Sequence, residues 1–142
     1  MKKIKLNGTS NSILNIGLMD IINEVELSNK VYWKILWIDG FGKVEATPMQ
    51  KLENDINKSS GVFVDSSFLQ KLTPPNVQLT NLLLIGGDTE EGIKSYNLEN
   101  YKNGSLKAPK YIVELCDSSF WEFASSDSKL LKDIERLNGL AN

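Results

Sequence analysis

The sequence predicts an α+β fold: one domain with a mostly antiparallel sheet of five or six strands, two or three packed helices, and a C-terminal hairpin followed by a helix. Three observations carry this. Val31–Ile38 has a period of two and Val77–Ile85 is a second strong strand candidate. A period near 3.6 runs instead through Leu18–Val25, Met49–Ile56 and Leu130–Leu137, the mark of amphipathic helices. Near the C-terminus two strand patterns flank Asp117-Ser118-Ser119 with no helix between them, which argues against a doubly wound parallel sheet. A length of 142 residues suits a single core.

Taken in order, Lys2–Leu6 reads as a short strand whose Lys2, Lys3 and Lys5 suit a guarded sheet edge. A polar turn follows around Asn7–Asn11, and Ser12 is the expected cap of a helix with Leu14, Leu18, Ile21, Ile22 and Val25 on its apolar face. Gly17 weakens that helix by about 1 kcal/mol. Val31–Ile38 is apolar on most of both faces, so it should be central, with Trp33 and Trp37 on the same face. Asp39-Gly40-Phe41-Gly42 should turn the chain, and Lys43–Ala46 returns as a short partner. Thr47-Pro48-Met49-Gln50 reads as a capping box with Thr47 at the N-cap. The helix it opens buries Met49, Leu52 and Ile56 and stops near Gly61.

Gly61–Asp65 is a further strand, and Ser66–Leu72 a turn or two of helix ended by Pro74-Pro75. After Val77–Ile85, Gly86-Gly87-Asp88 and Thr89–Gly92 form a polar turn; a short strand near Ile93–Tyr96 then leads into a surface loop up to Pro109. Tyr111–Cys116 and Phe120–Ser125 make the hairpin. Ser125 or Ser126 caps the last helix, with Asp127 at the positive end of its dipole, Leu130, Leu131, Ile134 and Leu137 buried, and Gly139 as its stop.

Composition narrows the function. There is no histidine, so a Ser-His-Asp triad, a Cys-His dyad and an imidazole metal site are all excluded. Fifteen of the 16 basic residues are lysine and Arg136 is the only arginine, in a chain of net charge -2. That is the wrong balance for a nucleic-acid binder, which needs a basic face and arginine forks. A single cysteine, Cys116, permits no internal disulfide; among Glu114 and Asp117 it reads as an inert buried thiol. No apolar run approaches the length of a membrane span, so the expectation is a cytoplasmic protein with no membrane partner.

The remaining motifs are weighed against plain structural roles. Gly86-Gly87-Asp88 lacks the spacing of a dinucleotide loop and the lysine of a P-loop, and reads as an ordinary loop. Asp88, Glu90 and Glu91 lack the ligand spacing of a calcium loop; a solvated turn is expected, with contact to a basic protein surface as the functional alternative. If Glu114 and Glu122 lie across from each other in the hairpin, they could form an acid/base pair of the glycosidase kind, which also needs a sugar cleft; a solvated pair neutralised by surface lysines is expected. The aromatics Trp33, Trp37, Trp121, Tyr32, Tyr111, Phe120 and Phe123 suit a core, with Trp37 or Trp121 as the member that could anchor a partner. No catalytic residue, metal ligand or cofactor is assigned.

The run Ile112-Val113-Glu114-Leu115-Cys116-Asp117-Ser118-Ser119-Phe120-Trp121-Glu122-Phe123-Ala124-Ser125-Ser126-Asp127, with the helix after it, resembles small bacterial immunity proteins of contact-dependent and other polymorphic toxin systems. The similarity lies in an apolar strand, an Asp-Ser turn, an aromatic strand around Trp-Glu, and a Ser-x-Asp cap before an amphipathic helix, over residues 110–137. It implies a protein-binding inhibitor rather than an enzyme, neutralising a cognate toxin domain, for instance a basic nuclease, by covering its active site. On that reading the contact residues are Asp88, Glu90 and Glu91, with Asp117 or Asp39 and an anchor at Trp37 or Trp121. The alternative is a small-ligand binding or sequestering module with an aromatic-lined pocket.

Overall fold

The computed structural model describes residues 1–7, 14–27, 29–105 and 109–140. Its strands are β1 (Lys2–Leu6), β2 (Tyr32–Val44), β3 (Thr47–Pro48), β4 (Val62–Val64), β5 (Val77–Gly87), β6 (Tyr111–Cys116) and β7 (Phe120–Ser125). Helical segments are α1 (Leu18–Glu26), α2 (Met49–Asn57), α3 (Ser66–Gln70), α4 (Glu90–Ile93), α5 (Leu98–Lys102), α6 (Ser128–Glu135) and α7 (Leu137–Leu140). The strands form one sheet in the order β1-β7-β6-β5-β2-β3, with β4 also on β2. Every pairing is antiparallel. The α+β class is therefore as expected, with seven strands and seven helical segments among the described residues where fewer were predicted.

The two faces of the sheet are covered unequally. On the first, Trp33, Ile35, Ile38, Leu82, Leu84, Val113, Trp121 and Phe123 pack with apolar residues of α1, α2, α3 and α6. Here Trp33, Tyr111 and Phe123 meet ring to ring, with centroids 6.2 and 6.4 Å apart. The second face carries Leu36, Leu83, Ile85, Ile112 and Ala124, under only the short α4 and α5 with Ile93, Tyr96, Leu98 and Tyr101. Buried Lys34 fastens that thin layer, its ammonium donating to the carbonyls of Lys94 (2.8 Å) and Tyr96 (2.7 Å).

Several predicted details are corrected. Trp33 and Trp37 lie on opposite faces, because a β-bulge between Ile35 and Trp37 leaves Leu36 without a partner on β5 and inverts the alternation. Asp39–Gly42 is not a turn: β2 runs on to Val44, and the turn is Glu45-Ala46, with Glu45 at φ 57°. Gly42, at φ 101°, instead permits close approach of β5, since a Cβ there would sit 1.9 Å from the Asn76 carbonyl. The capping box at Thr47 is absent; Thr47 pairs with Val44 as strand, Pro48 becomes the N-cap of α2, and no side chain caps it.

Ile93–Tyr96 is no strand, because Thr89 accepts from the Gly92 N–H and starts α4 there. The surface loop contains α5, closed at its start by reciprocal Asn97 and Asn100 bonds, and its residues 106–108 lie outside those described. The final helix is capped by Asp127, not by Ser125 or Ser126, and a helical turn continues across Gly139. Helix α1 begins after Gly17, whose N–H donates to Asp20 (2.7 Å), so the glycine stands at the cap and not inside the helix. The predicted Ser12 cap, and the turn around Asn7–Asn11 apart from Asn7, lie outside the described residues.

Candidate functional site

The thin layer on the second face leaves a cavity of about 310 Å³ beside α5. Trp37 and Asp39 of β2, Asn81 and Leu83 of β5, Glu114 of β6, and Leu98, Tyr101 and Lys102 of α5 line it. The strand register builds this site. Trp37 pairs with Leu83, Leu83 with Glu114, and Glu114 with Glu122, so the four form one row across the sheet. Asp39 pairs with Asn81 one step along. The bulge at Leu36 puts Trp37 and Asp39 into this face; without it their side chains would enter the core.

Hydrogen bonds fix the polar groups. The indole N–H of Trp37 donates to Asp39 Oδ2 at 2.8 Å, and the Asn81 amide donates to the same oxygen at 3.3 Å. Asn81 in turn accepts the N–H of Asp117 at 3.0 Å, which ties the β6–β7 turn to the site. The Tyr101 hydroxyl donates to Glu114 Oε1 at 2.5 Å. Burial, and then that bond to Glu114, push the Tyr101 pKa well above its ordinary value, so the phenol stays a donor.

Beyond Glu114, the Cys116 thiol donates to Glu122 Oε1 (3.6 Å) and Lys3 pairs with Glu122 Oε2 (3.7 Å). One ligand atom each from Glu114, Cys116 and Glu122 lie within 4.8 Å of one another. Burial, with the Glu114 and Glu122 charges, pushes the Cys116 thiol up to about 11, which keeps it protonated.

The sequence-predicted contact residues divide into three. Asp39 and Trp37 belong to this cavity, and exposed Asp117 stands at its end of the sheet. Asp88, Glu90 and Glu91 are exposed past the C-terminal end of β5, where Asp88 is about 20 Å along the strand from Asn81 and pairs with Lys110 at 3.3 Å. Trp121 is no surface anchor: it is 3 % exposed and its indole N–H donates to the Ile16 carbonyl at 2.8 Å. Sequence reasoning missed Asn81, Tyr101 and Lys102. For Tyr101 and Lys102 the available signal was the Asn97/Asn100 capping pattern, which places them on a helix and not in a loop; Asn81, inside a strand, gave none.

No family model, curated protein or solved structure matches this chain. No helix among the described residues is long and apolar enough to cross a membrane.

Proposed function

We propose that this chain is a protein-binding inhibitor of the immunity-protein kind, which neutralises a cognate bacterial toxin domain by covering its active site. The observation that carries the reading is the cavity face, where half-buried Trp37 stands among carboxylates that the rest of the chain leaves partly unengaged. Asp39 Oδ1 and Glu114 Oε2 accept no hydrogen bond from any described residue. A half-buried tryptophan beside free acceptors has the anatomy of an interface hot spot. Exposed Phe41, on the continuation of β2 past Asp39, and Asp117 extend the surface. On this reading the contact centres on Trp37, Asp39 and Asp117, and Asp88, Glu90 and Glu91 are an outlying acidic group that steers a basic partner.

The test is co-expression with the product of the adjacent upstream gene, or its C-terminal domain. Expected are a stable complex on co-purification and rescue of growth. A harmless neighbour that does not co-purify would end this reading. A second reading, a small-ligand binding module, is favoured by the cavity volume of about 310 Å³, which lies at the lower bound for ligand pockets. A rise in melting temperature with one member of a metabolite panel would support it.

A further inference from the structure

We propose that the Trp37 cavity is a socket for one arginine side chain presented by the partner. The inference rests on the inhibitor reading above and adds the chemistry of its central contact. A guanidinium is planar, stacks on aromatic faces and donates in a fork that fits carboxylates. The cavity offers each complement. Trp37 supplies the aromatic wall, and its N–H is already spent on Asp39, so its ring is held in place. Asp39 and Glu114 approach from β2 and α5's neighbour β6, each with one oxygen engaged inside the chain and one without a described partner. Leu83 and Leu98 supply apolar surface for the methylene stem.

Lys102 is the one cation in the lining, and it opposes the two carboxylates. It is exposed at the end of α5 and makes no ion pair with a described residue, so its stem can carry the ammonium into solvent when a guanidinium enters. Two carboxylates against one mobile lysine leave the socket with a net negative charge, which selects a cation over an anion.

The experiment titrates the full isotope-labelled chain with N-acetyl-arginine methylamide at constant ionic strength, following the Trp37 indole N–H by NMR. That resonance is assigned by its loss in Trp37→Phe. The citrulline analogue, equal in shape but uncharged, and the glutamate analogue serve as comparisons. A saturable shift with arginine alone is expected, weakened about tenfold in Asp39→Asn and in Glu114→Gln. Lys102→Gln should tighten binding severalfold. Asp39 also orders Trp37 and Asn81, so if Asp39→Asn fails to fold, Glu114→Gln and Lys102→Gln still decide.

Absence of a saturable shift, an equal response to citrulline, or preference for the glutamate analogue would overturn the socket. Complex formation with the neighbouring gene product beside a silent arginine titration removes the socket and leaves the inhibitor reading standing. Arginine binding without any protein partner removes the partner-presented guanidinium and the inhibitor reading together.

Discussion

Single residues show how far chemistry in this chain is set by neighbours. Cys116 was legible from the sequence as an inert thiol, because Glu114 and Asp117 flank it; the structure adds Glu122 from across the hairpin. Its pKa is pushed up from 9.0 to about 11. At pH 8 the thiolate fraction falls with that shift, so alkylation by iodoacetamide should run about a hundredfold slower than in the unfolded chain. The sign for stability follows from the raised value. Stability from this group is complete below the unfolded pKa near 9 and is lost as pH rises towards about 11. Urea unfolding midpoints at pH 8 and pH 10.5 for the native chain and Cys116→Ala would show it: the native chain should lose more.

Gly86 makes the opposite point. In sequence, Gly86-Gly87 looked like part of a loop, yet both residues belong to β5. The reason is Trp33, which pairs with Gly86 across the ladder; a Cβ there would lie 2.7 Å from its indole. Gly86→Ala should cost about 1–3 kcal/mol, as overpacking at a rigid core site does, measured by chemical denaturation. A neutral result would mean that the indole can slide, which its complete burial and ring contact with Tyr111 oppose.

At the scale of elements, periodicity located the helices and long strands, and failed where an irregularity broke the period. Val31–Ile38 announces a central strand because both faces are apolar, but one unpaired residue at Leu36 reverses everything after it. Local pattern cannot reveal that residue, because the bulge is defined by the partner strand. The edge of β2 explains its tolerance. Between β4 and β3, the Asn57 amide of α2 donates to the Ile38 carbonyl (2.8 Å) and accepts its N–H (2.9 Å), while Glu53 accepts the Gly40 N–H (2.9 Å). Helix α2 thus completes the ladder where no strand reaches. Asn57→Ala should therefore cost about 1–3 kcal/mol by thermal or urea unfolding, far more than an ordinary helix-end asparagine. It should also broaden the Trp37 indole resonance, since Trp37 precedes the residue released. An unfolding midpoint equal to that of the native chain would show that solvent satisfies this edge unaided.

For the whole molecule, the decisive feature is the inequality between the two sheet faces: among the described residues, five helical segments on one and two short ones on the other. The sequence disclosed the α+β class and the acidic residues, but not how the sheet sorts them. Asp39 and Asp88 look equivalent as turn aspartates, and only the antiparallel register shows that Asp39 stands against Asn81 in the middle of β5 while Asp88 follows its C-terminal end. This separation makes the two groups independently testable, because sites so far apart contribute additively. If the chain is the proposed inhibitor and binds through the cavity face, Trp37→Ala with Asp39→Lys removes the anchor and reverses a charge at the centre of contact. Affinity for the toxin domain should fall at least a hundredfold, through faster dissociation, and protection of growth should disappear. Lysine at Asp88, Glu90 and Glu91 together alters only the outlying field. Association should slow by about tenfold at low salt, the loss should shrink as ionic strength rises, and protection should survive. Surface-plasmon kinetics at two salt concentrations separates the cases, since the first pair acts on the off-rate and the second set on the on-rate. The reverse pattern, with the Asp88 group controlling dissociation, would move the interface to the other end of the sheet and leave the Trp37 cavity for a small ligand.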